Sequence, residues 1–384
     1  MIRWICVFFM LASTAFAQVS VDPERTAVRD GWWTLVVELG LPKIVPYRVF
    51  TLDDPRRLVL DFEGVTFEGL SPEDILSGDR ANAVRFGPLR PGWSRMVVDL
   101  AEPLIIAQAG MKTVTQGADL KVVLERASAQ EFAAASGAPP DPGWDVITGF
   151  DPQVAEQIAR SGDYVVVLDP GHGGIDPGAN QGGIKEADLM LILAAELAVQ
   201  LNELRGVQAV MTREADIFVP LSSRLTFARQ VGADLFISLH ADALEEDEAK
   251  GASVYTLSAD GGEAAGQRNV ERHERGDLLA GVDLEATGDR VATALMDLAR
   301  AKTGPEGRRF ADALVATMSA NGVRMNNRPR REGQFAVLSA ADFPGVLIEV
   351  GFLSNADDRA ILATAAGRAR IARAIVDTVA LMAR

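Results

Sequence analysis

Between residue 19 and about residue 125, the apolar positions come in short runs rich in β-branched and aromatic side chains. "WWTLVVELG", "YRVFTLDDPRRLVLDFEGV", "AVRFGPLRPGWSRMVVDLAEPLIIAQAG" and "LKVVLERA" are each punctuated by Gly, Pro or Asp. Such punctuation predicts short strands joined by turns. Two runs share the pattern Arg-(Leu/Met)-Val-(Leu/Val)-Asp, at 57–61 in "RRLVLDF" and at 95–99 in "SRMVVDL". The repeat predicts a duplicated, β-sandwich-like unit in which two similar sheets pack face to face. The unit contains no histidine and no cluster of catalytic side chains, so a binding or targeting module is the economical reading.

The pattern changes at about residue 126. Residues 126–162 are rich in Ala, Ser, Pro and Gly, the composition of a linker, with helical character towards the end. Across 163–384, strand-like runs ("YVVVLD", "VQAVMT", "DLFISLH", "ASVYTLS", "QFAVL", "GVLIEVGF") alternate with helix-like ones at 186–204, 222–231, 309–320 and 367–383. Near-continuous apolar strands between amphipathic helices predict an α/β domain. Its central sheet should be mostly parallel or mixed and flanked by helices. One stretch, about 259–307, is too long for an ordinary connection. "EAAGQRNVERHERGDLLAGV" and "DRVATALMDLARAKT" within it have helical periodicity, the second placing Val291, Leu295 and Leu298 on one face. A helical insertion is expected there.

The first residues stand apart. Arg3, the apolar run from Ile5 to Leu11 and the small-residue exit Thr14-Ala15-Phe16-Ala17 have the form of a secretory signal peptide over residues 1–17, too short for a membrane span. Cys6, the chain's one cysteine, lies inside that apolar run, so the mature chain is expected to have neither disulfides nor thiol chemistry. Export to the periplasm is the expected location, with no membrane span in the mature chain. A net charge of -15 argues against a general nucleic-acid binder, which needs a basic face.

With three histidines in the chain, each can be weighed. His172 follows the strand-like run 164–169 inside a glycine-rich turn, and His240 closes "DLFISLH"; both sit where α/β sheets build their sites. Glu186 opens the helix after that turn. Two imidazoles and one carboxylate with an open fourth position form a recurring catalytic zinc set. Glu349 ends the apolar run of "GVLIEVGF", where an ionised side chain needs a partner, and it is placed to take a proton from a zinc-bound water. The glycines around His172 would let the backbone turn sharply beside a metal.

Taken singly, each residue has a plainer explanation. A strand-end histidine is often just a satisfied polar group, and Glu186 suits a helix dipole. The joint pattern carries the metal reading. His273, in "NVERHERGD", reads as solvated. Asp169, Asp188 and Asp242 suit turn or cap chemistry, Asp242 alternatively orienting a ligand. Ser222 and Ser223 are candidate helix caps, and Arg224 braces either the site or the fold.

At "LDPGHGG", "KEADL", "LSSRLTFARQVGADLFISLHADA" and "LIEVGFLSN" the sequence resembles the zinc-dependent N-acetylmuramoyl-L-alanine amidases, over essentially all of 163–384. The resemblance implies Zn2+ held by His172, Glu186 and His240, with Glu349 as the catalytic carboxylate. The implied reaction is hydrolysis of the amide between the muramic acid lactyl group and L-alanine in peptidoglycan. Residues 19–125 resemble, more loosely, the AMIN domain that targets such amidases to the cell wall. The insertion is similar to that of the cell-division amidases, which separate daughter cells. In those a helix lies over the zinc until an activator with a LytM-type domain displaces it. The resemblance implies Glu274, or second Glu271, as the occluding carboxylate, and "DRVATALMDLARAKT" as the segment offered to the activator. A solvated helical spacer is the alternative reading of the insertion.

Two other functions fit the same residues. A zinc peptidase cutting within the stem peptide would release shortened peptides, whereas an amidase leaves the peptide intact. A non-catalytic wall-binding protein would release nothing even without the insertion, although such a protein has no need of all four site residues.

Overall fold

The computed structural model describes residues 18–138, 152–243, 249–258, 290–340 and 342–383, with 152–154, 222 and 290–302 described as backbone only. The expected signal peptide (1–17) and Glu271, His273 and Glu274 of the insertion lie outside the described residues.

The N-terminal part is all β. Its main strands are β1 (Asp22–Asp30), β2 (Thr34–Leu41), β3 (Tyr47–Leu52), β4 (Arg57–Glu63), β5 (Ala81–Arg90), β6 (Trp93–Leu100), β7 (Leu104–Val114) and β8 (Gly117–Arg126). One sheet runs β7-β8-β2-β1 and ends on the short strand Leu76–Ser77; the other runs β3-β4-β6-β5. Side chains of a strand alternate between faces. Leu35, Val37 and Leu39 of β2 and Leu120, Val122 and Leu124 of β8 therefore meet Leu58, Leu60, Met96 and Val98 of the other sheet in one core.

The repeated pattern has a different role from the one expected. Its two copies, β4 and β6, are antiparallel neighbours in the same sheet, with Arg57 opposite Asp99 and Asp61 opposite Arg95. Pairing a segment antiparallel to its own copy sets each arginine against the other copy's aspartate, a favourable cross-strand match. Arg95 grips Asp61 in a buried bidentate pair at 2.6 and 3.0 Å, while Asp99 takes Arg85 from β5 at 2.6 and 2.7 Å.

A helix at Ala129–Ala135 follows, opened by a reciprocal Ser128–Glu131 capping box. A second, Pro152–Ala159, buries Ala155 and Ile158 in the C-terminal core. The end of the linker-like stretch is thus packed rather than free.

The C-terminal part comprises β9 (Tyr164–Pro170), α1 (Glu186–Leu201), β10 (Val207–Met211), α2 (Leu221–Gln230), β11 (Leu235–His240), β12 (Ala252–Leu257), α3 (Arg290–Ala320), β13 (Met325–Gly333), β14 (Gly345–Glu349) and α4 (Ala365–Met382). Its sheet runs β10-β9-β11-β14-β12-β13. The pairs β9–β10, β9–β11, β11–β14 and β12–β13 are parallel, and β12–β14 is antiparallel. Helices α1, α3 and α4 cover one face through Met190, Leu193, Phe310, Leu314, Ile371 and Ile375. The other face is covered by α2 and by Phe335, Val337 and Phe343. This is the mixed, mostly parallel sheet with flanking helices that the alternating pattern predicts.

Two local expectations differ. "QFAVL" is not a strand: Ala336–Leu338 is a 3-10 turn whose Val337, with the preceding Phe335, plugs the core. A short apolar run fits a buried turn as well as a strand. The strand lies just before it, in the polar run of β13, which escapes the pattern because it is an edge strand. The helices expected at 289–303 and 309–320 are one helix, α3, continuing through Pro305.

Candidate metal centre

Strands β9, β11 and β14 run in the same direction, so their carboxyl ends form one rim of the sheet. His240 is the last residue of β11, Glu349 the last of β14, and His172 stands two residues beyond β9. Glu186 starts α1, and its carboxylate turns back to this rim instead of serving the helix end. It accepts the amides of Ala179 (2.9 Å) and Ala241 (2.8 Å) and is buried.

The three expected ligands converge. His172 Nε2 lies 3.2 Å from Glu186 Oε2, and His240 Nδ1 lies 3.1 Å from Glu186 Oε1. One donor atom from each residue falls within 4.8 Å of the others. Burial alone would lower the His172 pKa, but the Asp176 and Glu186 carboxylates outweigh it and hold the imidazole well above its usual range. Burial alone would raise Glu186; His172 and then His240 hold it well below the ordinary carboxylate range. A buried set of two imidazoles and a carboxylate, mutually attracting and oriented by second partners, is a donor set that fits zinc.

The glycines serve this packing directly. A Cβ on Gly171 would fall 2.3 Å from the His240 ring, and one on Gly178 would fall 2.6 Å from His172 Cδ2 and 2.7 Å from Glu186 Oε2. The expectation that glycine lets the chain turn beside a metal is thus sharpened: the ligand side chains occupy the space a Cβ would take. His172 itself has φ 59, and Gly173 and Gly174 follow at φ 128 and 61. A left-handed non-glycine residue is held at a cost of about 1–3 kcal/mol, which the surrounding structure must over-determine.

Several residues supply that restraint, and some were not legible in the sequence. Asp176 fixes His172 Nδ1 at 2.7 Å, leaving Nε2 towards the cluster. Arg213 is buried and donates to the carbonyls of Pro170 (2.9 Å), Gly171 (2.8 Å) and Ala187 (2.9 Å), tying the His172 turn to the start of α1. Burial, then the neighbouring Arg224, pulls its pKa down to about 10. Arg224 braces the site: it donates to the carbonyls of Val219 (2.8 Å), Pro170 (2.9 Å) and His172 (2.9 Å) and to Asp169 (2.8 Å). Asp169 also accepts Thr212 Oγ1 (2.6 Å) and Ser238 Oγ (2.8 Å), so it locks the ends of β9, β10 and β11 together. Ser222 and Ser223 are not caps, since Pro220 holds the N-cap position of α2. Asp242 contacts the catalytic candidate, donating its backbone N–H to Glu349 Oε2 at 3.1 Å. Glu349 is fully buried and paired in register with His240.

Two known families match the chain. The Amidase_3 family, N-acetylmuramoyl-L-alanine amidase, matches residues 166–380, and the AMIN domain matches residues 27–124.

The chain belongs to the N-acetylmuramoyl-L-alanine amidase family.

It is a peptidoglycan amidase of the AmiC-like type, with an AMIN domain ahead of the amidase domain. N-acetylmuramoyl-L-alanine amidase AmiC of Neisseria meningitidis serogroup B is 32% identical over 391 residues, which cover 96% of this chain and 92% of that protein. AmiC of Escherichia coli O6:H1 is 29% identical over 86% of this chain and 82% of its own length. AmiA of Escherichia coli K12 is 36% identical over 57% of this amidase and 75% of its own length. Among the described residues no helix is long and apolar enough to cross a membrane.

Proposed function

We propose that His172, Glu186 and His240 of this amidase hold a zinc ion and that Glu349 is its catalytic carboxylate. The observation that carries this is the convergence of the three donors at one point, with Glu349 beside His240 on the same rim. Held by these three residues, zinc would supply Lewis acidity towards the scissile carbonyl and would acidify the attacking water to a pKa of about 7. Glu349 then takes the water proton and passes it to the departing L-alanine nitrogen, the ordinary double duty of a general base and acid. The Asp242 N–H fixes one of its oxygens. Asp176 keeps His172 in the tautomer that offers Nε2.

The division into an AMIN-like unit (19–125), a linker (126–162) and a catalytic unit (163–384) belongs to the same reading, as does export to the periplasm by residues 1–17. Regulation does too: the insertion at about 259–307 covers the zinc through Glu274 or Glu271 until a LytM-type activator binds, for daughter-cell separation. The described flanks set a condition on this. Ser253 of β12 pairs with Glu349, and β12 then runs antiparallel to β14, so the chain enters the insertion at the end of the sheet away from the metal centre. An occluding residue must therefore come from a segment that returns along the sheet. Peptidoglycan release by the intact chain and by a form lacking 260–289, each with and without chelator, tests it. Zinc-dependent gain of muropeptide-free glycan on deletion is expected; equal activity in both forms would refute the autoinhibition.

A further inference from the structure

The outer face of the sheet β3-β4-β6-β5 does not face solvent throughout. Leu89 at the end of β5 and Val97 of β6 form a buried cluster with Ile175 and Phe218 of the catalytic part. Ile175 belongs to the His172 turn, and its amide donates to the carbonyl of Pro88 at 3.1 Å. The approach is close on both sides. A Cβ on Gly87 would fall 2.9 Å from Ile175 Cα, and one on Gly174 would fall 2.1 Å from the Pro88 oxygen.

The contact falls on the most demanding stretch of backbone in the site. Residues 172–174 all have positive φ. From within the catalytic part, the turn is restrained by Arg224 on the His172 carbonyl, by Asp216 on the Gly174 amide (2.7 Å) and by the paired Gly173 and Asp176. Ile175 sits between Gly174 and Asp176, the residue that orients His172. The hydrogen bond that Ile175 donates to the Pro88 carbonyl therefore restrains the residue next to that orienting carboxylate, and Leu89 and Val97 bury the Ile175 side chain. A tether that only delivered the enzyme to its polymer would need no such seat.

We propose that Gly87–Leu89 of the N-terminal domain position the metal-binding turn 171–176, so that seating of this domain governs retention of the metal and turnover of the amidase. Wall targeting and catalysis are then coupled through one contact: whatever lifts the sandwich off the turn loosens His172. The inference rests on the zinc reading for its metal readout, but not for its backbone readout.

The test uses the full chain with Leu89→Asp and, as a milder wedge, Gly87→Ala, neither of which touches the proposed ligands. Leu89 lies outside the sandwich core, so circular dichroism should show both variants folded. Amide exchange across 171–176 should accelerate at least tenfold in both, and zinc should be lost to a competing chelator about tenfold faster. On a short soluble muropeptide kcat should fall severalfold with KM little changed, and Leu89→Ile should restore both. Exchange in the turn and kcat on the soluble substrate within twofold of the parent would overturn the proposal. So would a defect confined to insoluble peptidoglycan, the result for a mere tether. A parent chain that holds no zinc would fault the metal reading, and the exchange measurement would still decide the brace.

Discussion

His240 and Glu349 stand opposite each other in register at the last positions of two adjacent parallel strands, both buried at the rim of the sheet. One faces Glu186 in the donor cluster and the other accepts the Asp242 amide, so the proposed metal ligand and the proposed proton carrier are positioned by a single ladder of strand pairing. Their roles should separate cleanly on substitution.

Glu349→Gln keeps the shape of the side chain and its acceptor oxygen for the Asp242 N–H. Turnover should fall by about 10²–10⁴-fold, the usual contribution of a positioned acid–base group. Elemental analysis should find the zinc content unchanged; a variant that turned over normally would remove Glu349 from the mechanism.

His172→Ala and His240→Ala each delete one donor from the cluster. Both should purify with little or no zinc and without activity. The melting temperature of the parent should rise on zinc addition, since binding to the folded state alone stabilises it, and that rise should vanish in both variants.

Gly178→Ala tests the cradle without altering any ligand. Its φ of 64 is unfavourable for alanine, and the added methyl would meet His172 and Glu186. Displaced ligands typically lower metal affinity by about 10–100-fold. Competition with a chelator of known affinity reads this directly, and an unchanged constant would show that the ligands can give way at no cost.

Asp169 gives the acid dependence of stability. It is buried, which alone would raise its pKa, but Arg224, Thr212 and Ser238 hold it below the usual carboxylate range. Its stabilisation is therefore complete above the unfolded value and is lost as pH falls through the lower folded one, from about pH 4 downwards. Asp169→Asn leaves Arg224 uncompensated and should destabilise by about 3–5 kcal/mol at neutral pH. The gap between parent and variant should narrow in acid; melting curves between pH 7 and pH 3 measure it, and a constant gap would contradict the assignment.

Much of this architecture is legible in the chain. Strand and helix periodicities locate β11, β14 and α1, which carry His240, Glu349 and Glu186, and β9, which His172 follows by two residues. The glycines of the turn announce an unusual backbone, though not that His172 and His240 would fill the space beside them. Asp176, four residues from His172, reads as one more polar turn residue, and Arg213 acts through backbone carbonyls, which leave no pattern. Arg213 is an ordinary surface-type residue until folding buries it against four carbonyls. Edge strand β13 is hidden for the opposite reason, since it buries too little to alternate. The docking of β5 on the turn is a tertiary event between two units that each look self-contained in sequence.

The crosswise pairing of β4 with β6 gives the N-terminal unit a local two-fold axis, passing between Val59 and Val97 where the two copies cross. Repeating a segment usually yields two parts that could be separated. Here Asp61 of one copy is neutralised by Arg95 of the other deep inside the sheet, so neither half could be cut away without stranding a charge. The two copies are therefore interdependent: a charge reversal at Asp61 is tolerated only with the opposite reversal at Arg95.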